Sequence, residues 1–133
     1  MTLPSTIHSP SMFLSSPPAG FDGVFDWSWM VGCWPNLKDK PMDIDCLKER
    51  RGQFLLFETK KIGAPIPKGQ MIALEALHRL GCFTIMLIYG KPWPQHGEIW
   101  YPGSKVRREW ASVDEARDLV SRWYAWADNG VRR

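Results

Sequence analysis

The segment DIDCLKERRGQFLLFETK, residues 43–60, decides the architecture. From Met42 the chain sets Met42, Ile44 and Cys46 against Asp43, Asp45 and Leu47, the period of a strand. Arg50-Arg51-Gly52-Gln53 then marks a turn. Phe54-Leu55-Leu56-Phe57 is a continuous apolar run that ends in Glu58-Thr59-Lys60. Such a run suits a central strand buried on both faces, with charge at its carboxyl end. The two strands predict a hairpin. Residues i and i+2 of a strand share a face, so Glu58 and Lys60 project together, as do Asp43 and Asp45. Pairing around Arg51-Gly52 brings Asp45 near Glu58.

Outward from the hairpin, residues 62–69 read as a Pro/Gly loop. Met71, Leu74 and Leu77, with Ile72, Ala76 and Leu80, predict a helix over 70–80 that Gly81 stops. CFTIMLIY (82–89) reads as a buried strand and GEIWY (97–101) as a short one. Ser112-Val-Asp-Glu115 fits a capping box, and the stripe Ala116, Leu119, Val120, Trp123, Ala127 predicts the last helix. Upstream, the aromatic stretch 21–34 has near-helical spacing and predicts a short helix, with Trp29 in its packed face. Residues 1–20, rich in Pro and Ser, read as a flexible tail ahead of a single domain at 21–133. The fold class expected is α/β, a mixed central sheet of about four strands flanked by helices. Strands 54–60 and 82–89, joined through a helix, should be parallel neighbours.

Composition narrows the function. The chain has 133 residues, 44% hydrophobic and 23% charged, which fits one globular core and excludes a disordered polyanion. No run is apolar enough for a membrane span or a secretory signal, so a cytoplasmic setting and no membrane partner are expected. Cys33, Cys46 and Cys82 form no C-x-x-C pair, which argues against a zinc site or disulfide framework and for buried, reduced thiols. No serine or cysteine has a spaced base partner, and no glycine cluster forms a phosphate loop. Eight tryptophans run the length of the chain. Most suit packing, with Trp34 and Trp93, beside prolines in loops, as candidates to stack on an unpaired base. Of Ile99 and Trp100, strand alternation sends only one to the core. His78 reads as a packing histidine on the second helix, and His96 lies in a loop near the site. The net charge of +3 equals that of residues 35–69 alone.

Two carboxylates converging beside a lysine make a hard-oxygen site of the kind Mg²⁺ or Mn²⁺ prefers. The alternative from geometry alone is a solvated hairpin with surface ion pairs. Residues 43–60, with the helix and strand that follow to about residue 90, resemble the core motif of the PD-(D/E)xK nuclease superfamily. The closest likeness is to nuclease-related domains and small phage or junction-resolvase-like enzymes. The resemblance implies a restriction-endonuclease-like core and a Mg²⁺-dependent deoxyribonuclease, an endonuclease that Mn²⁺ would also support, in a bacterial or phage-infected cell. Under it Asp45 and Glu58 hold the ion, Thr59 adds its backbone carbonyl, Lys60 is the catalytic lysine, and Gln70 stands near the scissile phosphate. Ile44, not proline, precedes Asp45, and Pro41-Met42-Asp43 leaves a second register with Asp43 as ligand. Asp26, and after it Asp22, are candidates for an acid from the first helix.

Lys60, Lys61 and Lys68, with Arg50 and Arg51, are expected to rim the acidic pocket. Lys105, Arg107 and Arg108 form a second cationic cluster after the fourth strand. With Trp93 these are the candidate DNA contacts, phosphate neutralisation supplying affinity. Branched or single-stranded DNA is among the expected substrates, and a homodimer is a candidate assembly. The other reading is a non-catalytic nuclease-fold protein that binds nucleic acid or inhibits a protein partner.

Overall fold

The computed structural model describes residues 5–6, 24–25, 28–36, 38–39 and 41–130. The chain divides into two compact units, Met1–Asp43 and Ile44–Arg133. In the first, β1 (Ser5–Thr6) pairs antiparallel with β2 (Val24–Phe25), and Ser28–Met30 makes one 3-10 turn. The helix expected over 21–34 is therefore not what its described residues form. Val24 and Phe25 have side chains that favour extended backbone, and Gly32 at φ 90° ends the turn. Trp29 is 64% exposed, where a packed face was expected. Trp34 donates its indole N–H to the Asp39 carbonyl at 2.6 Å. Asp22, Asp26 and the expected tail, apart from Ser5 and Thr6, lie outside the described residues.

The second unit is a five-stranded mixed sheet with two helices. Its elements are β3 (Cys46–Arg50), β4 (Gln53–Lys60), α1 (Lys68–His78), β5 (Phe83–Tyr89), β6 (His96–Trp100), β7 (Arg107–Trp110) and α2 (Val113–Asp128). The strands lie in sequence order, all neighbours antiparallel except β4 and β5, which are parallel across the α1 crossover. That parallel pair is the one expected. β7 is a strand beyond the four expected, because Arg107, Arg108 and Glu109 mask its period. At a sheet edge, charged side chains are favoured because they discourage further pairing.

The hairpin turn is tighter than the four residues expected. Arg50 pairs with Gln53, leaving Arg51 (φ 51°) and Gly52 (φ 79°) as a two-residue turn, whose left-handed backbone matches strand twist. β3 starts at Cys46, so Met42–Asp45 precede the strand.

Helices cover both faces of the sheet. On one face Leu55, Met86 and Trp110 pack with Ala116, Trp123 and Ala127 of α2. On the other, α1 meets β6 and β7 where His78 stands edge-on to Trp100 and Glu75 pairs with Arg107. Ile99 and Trp100 are therefore both buried, against the expectation of one, since successive strand residues each find a helix-covered face. Each such large apolar side chain contributes about 1.5–3 kcal/mol by leaving water. The thiols are free but not buried as expected: Cys33 and Cys46 are exposed and Cys82 half-buried. Cys46 opens an edge strand and Cys82 precedes β5, where neither is covered from both sides. No helix among the described residues is long and apolar enough to cross a membrane.

Candidate active site

The β3–β4 register sets the site. Cys46 pairs with Phe57, so the next step outward brings Asp45 opposite Glu58, as the spacing predicts. Asp45 does more than face it. Its Oδ2 accepts hydrogen bonds from the Thr59 backbone N–H at 2.7 Å and from the Thr59 hydroxyl at 3.0 Å. The carboxylate thereby extends the pairing one step before β3 begins, and ties the open end of the hairpin to β4.

Glu58 is buried, 3% exposed, at the carboxyl end of β4. The Lys60 ammonium lies 3.5 Å from its Oε1, the contact that i, i+2 spacing on one strand allows. Its Oε2 is buried without a hydrogen-bond partner. Burial, and next the charge of Asp45, push the Glu58 carboxyl above the usual glutamate range, while Lys60 and Lys91 pull the other way. Desolvation opposes the ionised form because the apolar surroundings replace water poorly. Gln70, in the first turn of α1, has a side-chain carbonyl that is also buried and unpartnered.

These groups sit at the carboxyl ends of the two parallel strands, where open α/β sheets expose their loops and bind ligands. Lys60 is in register with Tyr89 of β5, and Tyr89 with His96 of β6. The Tyr89 and His96 rings stack at 5.1 Å. His96 is thus a strand residue, not a loop one.

Other expected residues are dispersed. Arg50 and Arg51 stand at the hairpin turn, at the opposite end of β4 from Lys60; eight extended residues separate those ends by about 23 Å. Arg50 is paired with Asp128 and lies over the Tyr124 ring, on the α2 side. The hairpin tip therefore does not rim the acidic pocket. Lys61 and Lys68 are exposed just past β4 and at the start of α1. Arg107 is held by Glu75 at 2.9 Å and by the Trp100 ring. Arg108 lines a separate cleft of about 210 Å³ beside α2 with Glu115, Asp118 and Arg122. Lys105 is exposed in the β6–β7 connection, and Trp93 is 66% exposed in the loop after β5. Asp43 is exposed and ends the first unit. Sequence reasoning missed Tyr89, in register with Lys60, and Lys91, two residues on, whose charge acts on Glu58.

Among the described residues no three His, Cys, Asp or Glu side chains are grouped to enclose a metal ion. The donors nonetheless suit Mg²⁺, which keeps several waters and needs only one or two carboxylates. Glu58 Oε2 is an enclosed acceptor with no partner. An ionised carboxylate offers about four lone-pair positions, of which Thr59 takes two of Asp45's. Compared with protein-family models, curated proteins and solved structures, the chain matches none.

Proposed function

We propose that the second unit is a Mg²⁺-dependent nuclease of the PD-(D/E)xK kind that hydrolyses DNA phosphodiester bonds internally. The observation that carries this reading is the hairpin register, which sets Asp45 opposite Glu58 with Lys60 3.5 Å from the Glu58 carboxylate. Buried charge without compensation costs several kcal/mol, so an enclosed acid with an unpartnered oxygen calls for a cationic partner. A divalent ion held by Asp45, Glu58 and the Thr59 carbonyl would supply Lewis acidity toward the phosphate and make water more acidic.

The chain's own residues do the rest. Asp45, by holding Thr59, keeps the end of β4 from fraying and so fixes the Glu58–Lys60 geometry. Lys60 orients the attacking water with its ammonium and stabilises charge gathering on the phosphate oxygens. Gln70 contacts the phosphate or that water through its side-chain amide. The water oxygen bonds to phosphorus and releases one proton to solvent, the bond to the leaving sugar oxygen breaks, and that oxygen takes up a proton from solvent.

The test is cleavage of plasmid, single-stranded and branched DNA with Mg²⁺ or Mn²⁺ by the wild type and by Lys60→Ala. Loss of cleavage in the variant supports the assignment; equal activity overturns it. The non-catalytic alternative has one observation in its favour, since Thr59 and Lys60 already occupy part of both carboxylates. Mn²⁺ calorimetry separates the two, because a non-catalytic scaffold shows no binding that depends on Asp45 and Glu58.

A further inference from the structure

The loop after β5 is tied to the acidic end of the sheet. The Gly90 N–H donates to the Lys60 carbonyl at 2.9 Å, and the Gln95 N–H donates to the Tyr89 carbonyl at 3.0 Å, closing the loop at its base. Gly90 sits at φ 129°, and a Cβ there would stand 2.5 Å from the Trp93 carbonyl, so the loop folds back on its first residue. The loop that carries Lys91 and Trp93 is thus anchored at both ends, at the Lys60 and Tyr89 carbonyls. Lys91 is exposed, and its charge reaches Glu58. Trp93 is about two-thirds exposed. Beside them run Lys60, Tyr89 and His96, aligned across three strands, with the last two rings stacked. Ammonium groups set among planar rings are the chemistry that neutralises phosphates and stacks bases along a single strand.

We infer that the strand presented to Glu58 is unpaired DNA, with one base stacked on Trp93 and a neighbouring phosphate held by Lys91. This deepens the nuclease reading proposed above and rests on it. Inside a duplex both faces of each base are covered by its neighbours, so away from the duplex ends an indole stacks readily only on an unpaired base. Glu58 is recessed, with Oε2 enclosed. A flexible single strand can bend a phosphate toward a carboxylate below the surface, whereas a duplex holds its backbone on a stiff cylinder.

The experiment is fluorescence anisotropy, in EDTA so that nothing is cut, with a labelled oligodeoxythymidylate and a blunt duplex of the same length. The wild type should prefer the single strand about tenfold, and Trp93→Ala should remove about that factor while leaving duplex affinity unchanged. Trp93→Phe should restore most of it, and circular dichroism verifies that each variant is folded. Equal affinity for both probes, or a preference untouched by Trp93→Ala, overturns the inference. Cleavage by wild type and Lys60→Ala, run in parallel with Mg²⁺, reports on the nuclease reading separately.

Discussion

At Glu58, burial and charge act against each other. Its carboxyl is held above the ordinary glutamate range, first by burial and then by Asp45. Below that ordinary range Glu58 is protonated in both folded and unfolded chains, and its stabilising contribution is complete. As pH rises, the unfolded chain ionises first, so stability falls until the folded-state value is passed. Glu58→Gln should flatten that fall and raise stability at neutral pH, as read by urea unfolding over a pH series. A divalent ion at this carboxylate binds its ionised form and so competes with the proton. Mn²⁺ affinity should therefore weaken in acid, and calorimetry in buffers of different ionisation enthalpy should register proton release. Asp45 acts on stability through its partner. Asp45→Ala leaves the Thr59 N–H and hydroxyl without their acceptor, at a cost of about 1–3 kcal/mol. Asp45→Asn keeps an acceptor oxygen and should recover much of it. The Asp45–Glu58–Lys60 constellation was legible from i, i+2 spacing and one turn. The Thr59 clamp was not, because it depends on Asp45 lying just before the strand rather than in it.

Among the elements, α2 was the most readable because its start is chemical. Ser112 Oγ accepts from the Glu115 N–H at 3.1 Å, while Glu115 Oε2 accepts from the Ala111 N–H at 3.0 Å, one residue before the expected partner. Ser112→Ala should cost about 1 kcal/mol, measured by thermal unfolding. The β3–β4 hairpin was readable through its turn residues and its apolar strand. Gly52→Ala would force a side chain onto a left-handed backbone, at about 1 kcal/mol or more. The elements that misled did so for physical reasons. Stretch 21–34 has aromatic spacing that fits a helix, but β-favouring Val24 and Phe25 pair with Ser5 and Thr6 instead. β7 shows charge where a core strand shows alternation, since only Trp110 of its four residues is buried. Lys91 carries no local signal, because its place beside Glu58 comes from a parallel pairing across a helix.

Across the whole molecule, positive charge is divided between ends of the sheet. Lys60, Lys61 and Lys91 stand at the carboxyl ends of β4 and β5, whereas Arg50 is engaged by Asp128 near the hairpin turn. Single-strand binding should therefore involve few phosphates and have a shallow salt dependence. Lys91→Gln should reduce the slope of log affinity against log salt by about 0.7, one phosphate's worth. Arg122→Gln, exposed and paired with Asp118 along α2, should leave it unchanged. The division of the sheet also has a consequence in time. Asp45 and Thr59 are 14 residues apart and meet by closing one hairpin, an event of about 1–10 μs. Lys91 arrives only when β5 docks in parallel, after the whole of α1 has been traversed, and such non-local pairing is slow. The carboxylate pair thus belongs to an early-forming piece of the chain and the strand-gripping loop to a late one. Destabilising the turn should slow refolding, whereas loosening the loop should chiefly hasten unfolding.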